Sequence, residues 1–549
     1  MLPPIATATS DFLTLRGKGA LYVDKTAAFV ARVLADTSEA QLFCRPRRFG
    51  KTLNMTTLRA FVEPAQGTAA EVARAAFAGL AIERAGDAVW RHFQAHPVIW
   101  LSFKDIKAKT WSAAWLNLRE VLAEEAQRHE VALAGAGGEL NTGAEPATAS
   151  RWLLKLSHAL HQATGRKPIV LIDEYDTPIH VAFEHGYFDD AIDFFRPFFG
   201  AGLKDNPHVE RSVMTGILRV AKESVFSGLN HLSVVSMLTG RTDYADAFGF
   251  TQAEVDALSD LAGFDQATRD AIKAMYNGYR LGGLDLYTPW SLTQCLADPA
   301  HGVCPYWTNT SDNTLIRDLL TDHAVLASAT LETLLQGQAV TAAIDEHTVL
   351  RDVRQRPEAL LSFLVLAGYL RVDHRQLTSY GLEATVRVPN GETLWELRRL
   401  VRGRVSSARQ GDPLARAILG GQAEAVELLL GTLLTDSVSY HLLGRPAPER
   451  LYQAFVAGLL IVVEDTHLVA TEVETGLGRA DVLITPRRAG LPGVVMELKV
   501  GGVEALDGAL EQLRTMDYAA RLRQAGASPV RLMAAAFDGK QVRVVFAEG

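Results

Sequence analysis

The feature that most constrains this chain is the stretch RPRRFGKTLN, from Arg45 to Asn54, together with what flanks it. A phosphate-binding loop reads G-x-x-x-x-G-K-[ST] and needs a strand before it and a helix after it. Gly50, Lys51 and Thr52 satisfy the second half of the pattern. The apolar run AQLFC, Ala40 to Cys44, leads in with strand character, and Leu53, Met55, Leu58 and Phe61 follow at helical spacing. In such a loop Arg48, Phe49 and Gly50 offer backbone N–H groups to an anion at a helix N-terminus. Lys51 would reach the β- and γ-phosphates, and Thr52 would hold Mg²⁺. Arg45 stands where the first glycine should be, with Pro46 behind it. Arginine does not take a tight backbone turn as cheaply as glycine, so the front of the loop must be built differently. Taken alone, the stretch also reads as a basic loop capping a helix.

A second segment supports the nucleotide reading. KPIVLIDEYDTPI, Lys167 to Ile179, is an apolar strand ending in Asp173 and Glu174. A carboxylate at a strand end holds the Mg²⁺ hydration shell in P-loop ATPases, and a neighbouring one can polarise the attacking water. The same pair also fits two solvent-facing acids at the end of any α/β strand. HPVIWLSF (His96–Phe103) and RSVMTGILRV (Arg211–Val220) are further strand-like runs, the second carrying Thr215 and leading to Arg219. Strands alternating with helical stretches predict a parallel sheet with helical crossovers.

A length of 549 residues exceeds one hydrophobic core and predicts two to four domains. Three cysteines give neither a disulfide framework nor a CxxC metal pattern, which suits a cytoplasmic protein. The N-terminus lacks the layout of a signal peptide, and the longest apolar run, AFVAGLLIVV, is about half a membrane span. No membrane association is expected. A net charge of −8 speaks against wholesale coating of nucleic acid, although a local basic groove stays compatible with it.

The stretches LYVDKT, FCRPRRFGKTLNM, VLIDEYDTPI, TGILRVAKESVFSGLNHL, FGFTQAEV, YNGYRLGG, YTPWSL and YWTNTSDN, in this order, resemble the predicted AAA-ATPase-like family of bacteria and archaea. Its members usually end in a PD-(D/E)XK nuclease-superfamily domain. In that family RPRRFGKT is the habitual phosphate loop, so the resemblance makes Arg45 a family variant. It implies Lys51 and Thr52 as phosphate and Mg²⁺ residues and Asp173 and Glu174 as the Walker B pair. Thr215 looks like a sensor position, and Arg219 like a sensor or a finger. AAA-like ATPases often form rings, so assembly into a homo-oligomer stays open.

The C-terminal hundred residues carry separate chemistry. GLGRADVLITP (Gly476–Pro486) alternates like a strand around Asp481, and GVVMELKV (Gly493–Val500) is a second strand with Glu497 and Lys499 on one face. The short turn between them lets the strands pair as a hairpin, which brings Asp481 beside Glu497 and Lys499. Two carboxylates at one spot suit Mg²⁺ or Mn²⁺, and a nearby lysine can orient or deprotonate water. That is the arrangement of a metal-dependent nuclease; an ordinary surface ion pair has the same ExK spacing. The preceding helix offers Glu449, and Glu474, Arg479, Gln512 and Tyr518 fall on polar positions that recur in the family's nuclease-like domain.

The expected architecture is α/β. A P-loop ATPase domain with a parallel sheet spans residues 1–300. A mainly helical middle region spans 301–443, acting as lid or linker, with a winged-helix-like element as the alternative. In it PEALLSFLVLAGYLRV reads as a buried helix, DHRQLTSYG as a polar turn, and LEATVRV as a strand. A PD-(D/E)XK-like α/β domain spans 444–549. Two functions remain open at this point. One is an ATP- and metal-dependent nuclease acting on nucleic acid, with DNA favoured as the substrate and genome defence as a setting that fits. The other is an ATP-switched module that binds nucleic acid or protein without cutting.

Overall fold

A computed structural model describes residues 2–549 except 8, 130–144, 219–231, 239–240, 308–315, 317–318, 321–327, 346–347, 349–351, 354–355, 380, 408–410, 438–451, 454–455, 457–458, 464–465, 476–477 and 516–517. The chain divides into two compact units, residues 1–315 with 337–396, and residues 316–336 with 397–549.

The first unit is built on five strands: β1 (Ala40–Cys44), β2 (Val98–Ser102), β3 (Ile169–Asp173), β4 (Arg211–Gly216) and β5 (Leu232–Val235), in the order β2-β3-β4-β1-β5. Every pairing is parallel. β1 and β3 are buried at every residue, as parallel strands covered on both faces must be. Because all strands run the same way, the phosphate-loop stretch after β1, the Asp173–Glu174 pair after β3 and Thr215 on β4 emerge at one end of the sheet. Ligands of open α/β sheets bind at that carboxyl end.

Two small antiparallel sheets complete the unit. One joins β6 (Phe250–Thr251), β7 (Asn277–Leu281) and β8 (Leu284–Tyr287) in the order β6-β8-β7. The other joins β9 (Val340–Ala343), β10 (Arg371–Thr378) and β11 (Gly381–Arg387) in the order β10-β11-β9. The predicted buried helix is present at Pro357–Ala367, before β10, and ends on Gly368 at φ 88°. The expected polar turn DHRQLTSYG is largely strand instead, because β10 pairs with β11 from Arg371↔Arg387 to Thr378↔Gly381. The register shifts at a bulge between Val372 and His374, where Asp373 sits between Arg371 and Arg387 (2.8 and 2.5 Å), and His374 to Thr378 belong to the ladder.

The second unit carries a sheet of β12 (His467–Thr475), β13 (Gly478–Pro486), β14 (Gly493–Val500), β15 (Val530–Asp538) and β16 (Gln541–Glu548), paired in chain order. β14 and β15 are parallel and joined through the helices Glu504–Thr515 and Tyr518–Gln524; the other pairs are antiparallel. One core cluster packs Leu414, Leu430, Val456, Met496 and Phe537 together, and another packs Leu483, Leu513 and Leu522. None of the three cysteines forms a disulfide. Among the described residues no helix is long and apolar enough to cross a membrane.

Candidate active sites

The missing first glycine has a structural account. Arg45 is 1% exposed, and its guanidinium turns inward to donate to the carbonyls of Cys44 (3.0 Å) and Val235 (2.9 Å), 5.3 Å from the centre of the Phe248 ring. The side chain thus ties the C-terminal ends of β1 and β5 together. Burial pulls its pKa down to about 10, so the group still carries its charge. The loop turns later in the sequence. Arg48 (φ 66°) and Gly50 (φ 82°) both adopt left-handed backbone, and Gly50 caps the Lys51–Val62 helix.

The Lys51 ammonium is buried and donates to the carbonyls of Arg45 (3.0 Å) and Pro46 (2.9 Å), so it arches over its own loop. Burial lowers its pKa; Glu174, Asp173 and Asp176 oppose the shift. Thr52 Oγ1 donates to Asp173 at 2.7 Å across 121 positions of sequence, and Thr215 Oγ1 bonds the other oxygen of the same carboxylate. Glu174 follows in left-handed backbone, φ 52°, a conformation that costs a non-glycine residue roughly 1–3 kcal/mol. Burial, with Asp173 adding to it, raises its pKa above the usual carboxylate range. The sequence-predicted residues Gly50, Lys51, Thr52, Asp173, Glu174 and Thr215 therefore converge on one spot. Arg219 lies outside the described residues.

Sequence reasoning missed Asp176. It is 2% exposed and accepts N–H bonds from Ile217 (2.8 Å) and Leu218 (2.9 Å), while Tyr175 Oη donates to the Leu218 carbonyl (2.6 Å). The run Asp173–Asp176 thus fixes the exit of β4 as well as that of β3. A third acid in the run was the available signal.

Segments distant in sequence brace the front of the loop. Phe49 packs edge-on against Tyr279 (4.8 Å between centroids), whose hydroxyl donates to the Gly368 carbonyl at 2.8 Å. A Cβ on Gly368 would lie 2.5 Å from Pro46, so only glycine fits there. Arg48 lies over the Trp290 ring at 4.3 Å. The Trp307 indole donates to the Arg47 carbonyl at 3.3 Å. Glu392, 1% exposed, accepts the Trp307 N–H (2.6 Å) and the Ser291 hydroxyl (2.8 Å). YNGYRLGG, YTPWSL and the first residues of YWTNTSDN all feed this brace.

In the second unit, antiparallel pairing of β13 with β14 brings Asp481 next to Glu497 and Lys499. Asp481 is 8% and Glu497 1% exposed. One Asp481 oxygen accepts the Leu498 N–H at 2.7 Å, and the other accepts Gln453 Nε2 at 2.6 Å. Lys499 Nζ lies 2.7 Å from Glu497. Two buried carboxylates and a lysine are thus held together by three segments. Gln453 occupies the place expected for a residue of the preceding helix. Glu449 lies outside the described residues, as do the side chains of Glu474, Arg479 and Tyr518; Gln512 is half-buried on the Glu504–Thr515 helix. The same two oxygen clusters, Thr52/Asp173 and Asp481/Glu497, have the donor chemistry that Mg²⁺ or Mn²⁺ prefers.

Residues 6–226 match the model of a predicted AAA-ATPase family, and residues 447–547 match that of the PD-(D/E)XK nuclease superfamily. The chain therefore joins an AAA-ATPase-like domain to a PD-(D/E)XK-superfamily domain. Both matched segments contain the clusters just described. The chain is also 27% identical to an "Uncharacterized protein in vnfD 5'region" of Azotobacter chroococcum mcd 1, over 95% of this chain and 94% of that protein.

Proposed function

We propose that this protein binds and hydrolyses ATP at the AAA-ATPase-like domain and cleaves nucleic acid, DNA in the first instance, at the PD-(D/E)XK-superfamily domain. The observation that carries the first half is the Thr52–Asp173–Thr215 bond network beside Lys51 and Glu174. It links both parts of a nucleotide site from separate stretches of chain. Lys51 and the loop N–H groups bind the β- and γ-phosphates, and Thr52 with Asp173 would hold Mg²⁺. Glu174 accepts a proton from the attacking water.

For the second half, Asp481 and Glu497 would hold Mg²⁺ or Mn²⁺. The ion supplies Lewis-acid charge at the scissile phosphate. Lys499 orients the water, and Gln453 with the Leu498 N–H fixes the Asp481 carboxylate. We place the protein in the cytoplasm, with ATP controlling cleavage as in a defence nuclease. The competing reading, an ATP-switched binding module, draws on the two hydrogen bonds that already engage both Asp481 oxygens.

The test incubates full-length protein with plasmid and Mg²⁺ or Mn²⁺, with and without chelator, alongside ATP calorimetry. Chelator-sensitive cleavage and ATP binding are expected. ATP binding without cleavage in either metal favours the binding module, and absence of ATP binding overturns the first half.

A further inference from the structure

At the end of the first unit's sheet opposite the phosphate loop, three adjacent strands begin together. His96 precedes β2, Lys167 precedes β3 and Glu210 precedes β4, and the strands start in register, Val98↔Ile169↔Arg211. His92 lies one turn before His96. Its Nδ1 is 2.8 Å from His96 Nε2, and the other nitrogen of His96 bonds the Lys167 carbonyl at 3.0 Å. His92 and His96 are 5% and 7% exposed, and one ligand atom each from His92, His96 and Glu210 lie within 4.8 Å of one another.

From this arrangement we infer a structural transition-metal site, His92–His96–Glu210, with Zn²⁺ as the fitting ion. Two imidazoles are borderline donors that suit Zn²⁺ over Mg²⁺, and zinc also takes a carboxylate oxygen beside them. The bond from His96 to a backbone carbonyl is the outer contact that normally fixes a metal-bound imidazole. It presents Nε2 inward with its lone pair. His92 and Glu210 would supply the other two protein ligands, and water would complete the shell.

The geometry sets the cost. Two nitrogens bound to Zn²⁺ at about 2.05 Å in a tetrahedron lie about 3.3 Å apart. The imidazoles therefore separate by roughly half an ångström from 2.8 Å. His92 now carries its one proton on Nδ1, between the rings, so metal binding there requires the neutral imidazole to take the other tautomer, with that proton on Nε2. That nitrogen now accepts from Arg91 Nε at 3.2 Å. Arg91 is exposed, so it can swing into solvent and take its charge away from the ion. Arg91 thus opposes metal binding, and the ion ties the first turns of β2 and β4 together.

The experiment uses full-length chain carrying Asp481→Ala and Glu497→Ala, so the nuclease-like cluster does not contribute, stripped with chelator and titrated with Zn²⁺ by calorimetry. One tight zinc per chain is expected, with a melting temperature that rises with the logarithm of zinc concentration. Co²⁺ should give the visible band of a four-coordinate site. His96→Ala and Glu210→Gln should each weaken binding about tenfold or more. Glu210→Gln alters a half-buried carboxylate, which keeps the test valid if the histidine variant misfolds. Arg91→Ala should tighten binding. Unchanged zinc binding in both ligand variants overturns the proposal. Looser binding in Arg91→Ala does so too, since it would make the cluster a hydrogen-bond relay that Arg91 orders.

Discussion

Replacing Glu392 by glutamine should stabilise the first unit at alkaline pH and leave it nearly unchanged in acid. Glu392 is buried against Ser291 and the Trp307 N–H. Burial pushes its carboxyl from an ordinary 4.5 up to about 7; Glu396 adds to the rise, while the bonds from Trp307 and Ser291 oppose it. A carboxyl raised in the folded state gives its full stability below pH 4.5 and loses it as pH climbs through 7. The loss is about 3 kcal/mol at 1.36 kcal/mol per pKa unit. Glutamine keeps an acceptor for the Trp307 N–H and never ionises. Glu392→Gln should therefore match wild type below about pH 4.5 and exceed it by about 3 kcal/mol above pH 8. A unit of this size has an unfolding entropy of roughly 0.8 kcal/mol/K, so the difference is about 4 °C in Tm. Thermal unfolding of both proteins between about pH 4.5 and 8.5 measures it. A difference that stays flat with pH, or that grows toward acid, would refute the reasoning.

Lys51→Ala should weaken ATP binding in calorimetry, whereas Glu174→Gln should keep binding and slow hydrolysis by about 10²–10⁴-fold. Asp481→Ala or Glu497→Ala should abolish metal-dependent cleavage of plasmid, and Lys499→Ala should slow it with little loss of metal binding; ATP hydrolysis should survive all three. Arg45→Gly, which restores the phosphate-loop pattern, should destabilise the protein by about 3 kcal/mol in denaturant titration. It strands the buried Val235 carbonyl and empties the space against Phe248.

The strand–loop–helix context of Gly50–Thr52, the acids after β3 and the hairpin around Asp481 were legible because each is local. Their signals are apolar runs, one glycine and residues two apart on a strand. The role of Arg45 was not legible, because its partner Val235 lies 190 positions away and offers only a carbonyl, which leaves no trace in sequence. Asp176 acts through the backbone N–H groups of Ile217 and Leu218, which any residue would supply. Gln453 passed unnoticed because an amide in a partly apolar helix suggests no chemistry until Asp481 is set against it. The polar run after Val372 looked like a turn, since Asp373, His374, Arg375 and Gln376 favour solvent; its strand form depends on cross-strand pairing.

The brace around the phosphate loop suggests how two chemistries in one chain would communicate. The Gly391–Ser407 helix begins in the first unit and, from Leu397 on, belongs to the second. At its start Glu392 holds Trp307, and Trp307 holds the Arg47 carbonyl of the loop. Further along, Arg398 donates to the Leu335 carbonyl within the second unit at 2.8 Å. A γ-phosphate that drew in the loop would pull on Trp307 and on the first turn of a helix held at mid-length by Arg398. Order–disorder and helix shifts of this kind are how phosphate-binding loops report occupancy. Coupling between sites is typically worth about 1–3 kcal/mol, roughly 5- to 150-fold. Cleavage rates with no nucleotide, ADP, ATP and a non-hydrolysable analogue should therefore differ within that range. Trp307→Phe removes the indole N–H and, with it, part of a buried ring; it should leave ATP hydrolysis intact and flatten those differences. Equal rates in wild type across all four conditions, with ATP binding confirmed, would mean that the domains are merely tethered. A nucleotide dependence untouched by Trp307→Phe would place the connection on another of the chain crossings between the units.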